Sequence, residues 1–193
     1  MKTWKARFNS EVSELEDIRR YMEGAARMFL SQVPSFGDKP LLNTDEIAKL
    51  AKWIVEGEKT SLLMIGATGC GKTILAKALG RTLAVRNNCP YFVSMVKLAN
   101  MARKYEELPE FVYEDRILIL DDLGIEPAEI MMYGNRYQLF NEIIYSRYAR
   151  HQPTIITTNC NWEALQEKYE GRVTSRMKEM FDTLIFRGGD LRK

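Results

Sequence analysis

Residues 61–80 read SLLMIGATGCGKTILAKALG, an apolar run that breaks into a glycine-punctuated loop and resumes as a helical pattern. Gly66, Gly71, Lys72 and Thr73 occupy the fixed places of the spacing G-x-x-x-x-G-K-[ST]. A glycine turn closing a buried strand has no need of a lysine and a hydroxyl at set offsets, so the loop is read as a ligand cradle. The apolar run before it and the inward face of Ile74, Leu75, Ala78 and Leu79 after it supply the strand, loop and helix that the motif demands. Unpaired N–H groups opening a helix attract concentrated negative charge, and the helix dipole adds to that attraction. Gly66, Ala67, Thr68, Gly69, Cys70, Gly71, Lys72, Thr73 and Ile74 are therefore expected to hold a nucleoside triphosphate. Lys72 would reach the outer phosphates as a point charge, and the Thr73 hydroxyl would ligate Mg2+.

A cradle binds without hydrolysing. The segment RILILDDLG places Asp121 and Asp122 after a buried run at 117–120, at the carboxyl edge where open α/β sheets collect their ligands. Adjacent carboxylates beside apolar residues are costly unless a cation or donors meet them. Asp121 is expected to hold the magnesium through its water shell, and Asp122 to orient or deprotonate the attacking water. The segment PTIITTNCNW ends a further run in Asn159, whose amide could hold the water or the γ-phosphate. Asn161 is the better cap for the helix behind it, since Trp162, Leu165 and Tyr169 share one face, and that frees Asn159 for the nucleotide.

Short aliphatic or aromatic runs at 62–65, 91–95, 116–120, 154–158 and 183–186 alternate with helical patterns. Five such strands without in-and-out alternation describe a parallel sheet covered on both faces. Val12, Leu15, Ile18, Met22, Ala25 and Phe29 recur at steps of three and four, so about 10–30 forms an amphipathic helix that docks on its own domain or on a partner. A linker follows at VPSFGDKPLLN, then a helix capped by Asn43 or Thr44 with Ile47, Leu50, Ala51 and Ile54 on its apolar face.

With 46% hydrophobic and 28% charged residues the chain is not a disordered one, and no run reaches the roughly 18 apolar residues of a membrane span. Its first 20 residues lack the apolar core of a secretory signal, so a soluble, cytoplasmic protein is expected. Cys70, Cys89 and Cys160 with a single histidine make no familiar zinc set and read as reduced thiols, Cys70 as a small filler of the loop. The net charge of +2 is too small to announce a polyanion partner by itself.

The order GATGCGKT, ILILDDLG, IITTN and GRVTSR resembles the AAA+ ATPases, in particular the bacterial DnaC-type helicase loaders and the IstB-type transposition helpers. QLFNEIIYSRY and the terminal FRGGDLRK are similar to the same group. The resemblance covers roughly 42–193 and implies a P-loop three-layer sandwich with a five-stranded parallel sheet, residues 1–40 being an N-terminal helix and linker and 41–193 the ATPase domain. It implies that Asp121 coordinates magnesium, that Asp122 serves as the base, and that Asn159 is sensor 1. Arg176 in GRVTSRM matches an arginine finger acting on a neighbouring subunit's ATP, with Arg172 its helper. Assembly into a ring or spiral is implied with it, so hydrolysis would be weak in the lone subunit and stimulated by assembly or DNA. Single-stranded DNA contacts would fall on Lys97, Arg103 and Lys104 of VKLANMARKY, with YSRYAR a second basic and aromatic patch.

Two departures accompany the resemblance. The chain ends soon after the fifth strand, which implies a core without the helical lid that bears sensor 2, as in DnaC-type members. The loaders carry a sizeable helicase-binding region where about 40 residues stand here. The resemblance implies a loader of a replicative DNA helicase acting in DNA replication, with an IstB-like transposition helper partnered by a transposase, or an ATP-gated switch with little hydrolysis, as alternatives. A small-molecule kinase would need an acceptor pocket and a lid insert not found here. A GTPase would need an N-K-x-D segment, which does not occur.

Overall fold

The computed structural model describes residue 5 and residues 15–32, 44–84 and 89–187. The 33–43 stretch expected as a linker, Asn43, the start of the first helix before Leu15, and the terminal residues beyond Arg187 lie outside them. Helix α1 (Leu15–Leu30) is followed by α2 (Thr44–Glu56), then β1 (Ser61–Gly66), α3 (Lys72–Ala84), β2 (Tyr91–Ser94) and α4 (Met95–Tyr105). After a short 3-10 turn come β3 (Leu118–Leu123), a hairpin of β4 (Ile130–Met132) and β5 (Asn135–Tyr137), α5 (Leu139–Ala149), β6 (Thr154–Thr158), α6 (Trp162–Lys168), α7 (Gly171–Met180) and β7 (Phe181–Phe186).

Strands β2, β3, β6, β1 and β7 pair in that order, every pairing parallel. Successive residues of a strand face opposite layers, and here both layers are apolar. Leu63, Ile65, Leu118, Leu120 and Ile156 pack with α4, α5 and α7 on one side. Leu62, Met64, Ile119 and Ile155 pack with α1, α2 and α3 on the other. The product is a three-layer α/β sandwich of the P-loop NTPase kind.

The strand order matters for function. It inserts β6 between the glycine-loop strand β1 and the strand β3 that ends in the two aspartates. The tip of β6, with Thr157, Thr158 and Asn159, thus stands between the lysine of one neighbour and the carboxylates of the other.

Helix α1 settles the alternative left by its sequence. Ile18, Met22, Ala25 and Ala26 are buried in the same cluster as Ile47, Leu50 and Leu79, so its apolar stripe docks on its own chain. The last strand begins at Phe181, two residues before the expected run, and three further local features differ from expectation. The second strand stops at Ser94, whose side chain accepts the Lys97 N–H and starts a helix at Met95, a residue expected in the strand. The third strand begins at Leu118 rather than 116 and runs through the aspartates to Leu123. The β4–β5 hairpin was not expected. Its two-residue turn, Tyr133 and Gly134 with φ of 51° and 74°, has the positive dihedrals that match strand twist in a tight hairpin.

Candidate nucleotide site

The loop between β1 and α3 curls through two left-handed residues, Gly69 with φ 81° and Gly71 with φ 91°. A side chain in either place would strain the backbone, which is why Gly71 is a fixed place of the motif and why glycine suits the free position 69. Among the described residues the N–H groups of Gly69, Gly71, Lys72 and Thr73 have no protein acceptor, whereas Leu75 already bonds to the Gly71 carbonyl. Four unpaired donors at the start of a 13-residue helix form an anion nest.

Lys72 is 5% exposed and lies folded into that nest. Its Nζ donates to the carbonyls of Gly66 and Ala67, both at 2.8 Å, and to Asn159 Oδ1 at 2.7 Å. A buried ammonium needs such acceptors. The buried Cys70 thiol lies 3.7 Å from the same nitrogen, in the small space that the loop leaves. The Asn159 side-chain oxygen, expected to meet nucleotide or water, accepts from the lysine, while Asn161 accepts the Ala164 N–H at 2.9 Å and caps α6.

Thr73 Oγ1 donates to Asp121 Oδ1 at 3.1 Å, and Thr157 Oγ1 donates to the same oxygen at 2.6 Å. Asp121 is 4% exposed and sits behind Thr73 rather than on the open wall. Burial raises its pKa, the Thr157 hydroxyl opposes this, and repulsion from Asp122 adds to the rise while Thr73 and Lys77 pull it down. Asp122 faces the open side. It lines a cleft of about 360 Å³ together with Thr68, Gly69, Gly71, Lys72, Thr73, Ile74, Lys77, Ile125 and Asn159.

The donors and acceptors fit a metal-bound triphosphate. Backbone N–H groups and Lys72 suit phosphate oxygens, and the paired oxygens of Thr73 and Asp121 suit a hard cation that keeps much of its water.

Lys77 and Ile125, which line the cleft, and Thr157, buried behind it, escaped the sequence reading. Lys77, four residues after Thr73 and so on the same helix face, could have been found from that spacing. Thr157 could not, because its neighbours are set by strand register.

Arg176 lies away from this cleft. Its guanidinium stacks over Tyr145 at 4.4 Å and Tyr148 at 5.1 Å, whose hydroxyls donate to Glu170 and Glu179. Arg172 is exposed nearby on α7. Lys97, Arg103 and Lys104 are exposed on α4, as their reading requires. YSRYAR is different. Arg147 is fully buried and donates to Thr154 Oγ1 and to the carbonyls of Val112, Arg116 and Pro153, so it is a core tie and not a cation for phosphate.

The family model described as IstB-like ATP binding protein matches residues 32–187. The chain belongs to that family. The IstB-like chain is 25% identical over 141 residues to a protein of insertion sequence IS232 from Bacillus thuringiensis subsp. berliner named for ATP binding, covering 70% of this chain and 54% of the relative. It is 27% identical over 130 residues to the corresponding IS5376 protein of Geobacillus stearothermophilus, covering 64% and 50%. It therefore spans about half the length of these curated relatives.

Among solved structures, the DnaC helicase loader superposes with a TM-score of 0.59 at 23% identity, over 77% of this chain and 92% of that one. DnaI does so with 0.60 at 22%, over 85% and 89%. DnaA from Aquifex aeolicus bound to AMPPCP gives 0.54 at 20%, over 75% and 46%. These likenesses establish the fold. The chain is thus an IstB-like ATP-binding protein whose core shares the fold of the DnaC and DnaI structures.

Proposed function

We propose that this IstB-like chain hydrolyses ATP, and that it does so as an assembled, DNA-associated helper of another protein. One observation carries the reading: Lys72, Thr73, Asp122 and Asn159 line one cleft at the ends of three adjacent strands, with Asp121 bonded to Thr73 just behind its wall. In this mechanism Gly69, Gly71, Lys72 and Thr73 donate backbone N–H groups to the phosphates. Lys72 exchanges the carbonyls of Gly66 and Ala67 for the outer phosphate oxygens, and Asn159, released from it, orients the attacking water or the γ-phosphate. Thr73 and Asp121 would hold Mg2+, which when bound neutralises charge on the outer phosphates. Asp122, on the open side, takes the proton of the water. Arg176, remote from its own cleft, is the group offered to a neighbouring subunit's ATP, an arrangement worth on the order of 10³ to 10⁵ in rate where such fingers operate.

The client is read as a transposase, because the relatives by sequence belong to insertion sequences. Loading of a replicative helicase is the second reading, and the fold shared with the DnaC loader over most of both chains favours it. Single-stranded DNA would meet the exposed Lys97, Arg103 and Lys104 face.

ATPase assays with and without single-stranded DNA test this reading, together with sizing in ATP. Stimulation and assembly are expected. Asp122→Asn should lower turnover at least tenfold while ATP affinity stays within about threefold. Unchanged turnover in that variant would remove Asp122 as the base, and a parent chain with no turnover above background would favour an ATP-gated switch and overturn hydrolysis as the function.

A further inference from the structure

Two adjacent residues of a regular strand point to opposite faces, so Asp121 and Asp122 would ordinarily be separated by the sheet. The β3–β6 pairing avoids this with a bulge. Leu120 pairs with Ile156 and Leu123 with Thr158, which leaves Asp121 and Asp122 together opposite the single residue Thr157. Asp122 takes a left-handed conformation, φ 58°, that non-glycine residues seldom adopt. The turn brings both carboxylates to the same end of the sheet, Asp121 onto the Thr73 hydroxyl and Asp122 onto the cleft wall.

The bulge is held by one hydroxyl. Thr157 Oγ1 accepts the Asp122 N–H at 2.9 Å and donates to Asp121 Oδ1 at 2.6 Å, and the residue is fully buried. A threonine hydroxyl has a single proton. With an N–H arriving at its lone pair, that proton is committed to Asp121, so the hydroxyl fixes both partners at once.

We propose that Thr157 is a positioning residue of the site: by clamping the bulge from the neighbouring strand it makes two consecutive aspartates serve one nucleotide, Asp121 toward the metal and Asp122 toward the water. The inference rests on the ATPase reading for those two roles, whereas the clamp itself is a property of the ligand-free chain. Hydrophobic packing alone would not need the hydroxyl, since valine has the same shape.

The test compares Thr157→Val with Thr157→Ser in the full chain by three measurements. The first is hydrogen exchange of the Asp122 amide without nucleotide. The second is affinity for a fluorescent ADP analogue in EDTA and across a magnesium titration. The third is kcat and KM for ATP. In Thr157→Val the Asp122 amide should exchange at least tenfold faster, the magnesium midpoint should rise several-fold, and kcat should fall at least tenfold, with affinity in EDTA within twofold of the parent. Thr157→Ser should restore all three to within about threefold. A lower melting temperature with unchanged exchange, magnesium midpoint and kcat would overturn the proposal. If the parent chain hydrolyses no ATP, the functional reading fails while amide exchange and magnesium dependence still decide the role of Thr157. Should Thr157→Val not fold, Thr157→Cys keeps the size with a weaker donor and is read by the same criteria.

Discussion

Burial raises the Asp121 carboxyl above its ordinary value, and the hydroxyls of Thr157 and Thr73 only partly offset this. The native state thus holds that proton more tightly than the unfolded chain does. Whatever stability the group contributes is present below its unfolded pKa and lost as pH rises through the raised folded value. When ionised, the buried group is a liability that a cation would relieve. Asp121→Asn, which keeps an acceptor for both hydroxyls, should stabilise the nucleotide-free chain by on the order of 1 kcal/mol while abolishing magnesium-dependent nucleotide binding. Thermal melts with and without Mg-ATP check this, and a less stable variant without ligand would contradict it. Residues with local signals were legible: Lys72 and Thr73 through fixed offsets, and Asn161 through the helix that it caps. Arg147 was misread as a surface cation although it extends the apolar stripe of Phe140, Ile143 and Ile144 at helical spacing. Its four acceptors come from other segments of the fold, and no pattern around it announces them.

Elements announced themselves according to how much of their pattern is local. The five sheet strands are apolar on both faces and stood out as continuous runs, and the helices between them by their stripes. The length of β3 was hidden because its last residues are charged, and only pairing with β6 through the bulge keeps them in the strand. The loop after β3 depends likewise on a distant helix. Lys168 of α6 donates to the Glu126 carbonyl at 3.2 Å and pairs with its carboxylate at 3.4 Å, and the Tyr169 hydroxyl donates to the same carboxylate. That carboxylate also receives the Gly124 N–H at 2.8 Å, two residues beyond Asp122. Burial and Glu126 push the Tyr169 pKa far up, so its proton stays in place. Lys168→Met leaves Glu126, 5% exposed, without its cation and should cost about 3 kcal/mol in urea unfolding. Adding Glu126→Gln should recover part of that loss, a non-additivity expected of residues in one network. A loss in the double variant equal to the sum of the losses from Lys168→Met and Glu126→Gln alone would show that the pair is not coupled.

At the scale of the molecule, the sheet order brings the glycine loop, Asn159 and the aspartates to one edge, while α7 carries Arg176 to a site apart from it. An ATPase completed by a neighbour's arginine should show specific activity that rises with protein concentration. Mixing an Arg176→Ala chain with a Lys72→Ala chain should restore part of the turnover that each lacks alone. A rate per subunit that is flat across a hundredfold dilution would contradict assembly and leave the cleft untouched. The cleft is the central claim, and calorimetric titration of the purified, folded chain with ATP, in magnesium and in EDTA, tests it most directly. The account predicts one site per chain, tighter by at least tenfold with magnesium, and lost in Lys72→Ala. A folded chain that takes up no ATP when magnesium is present would contradict it.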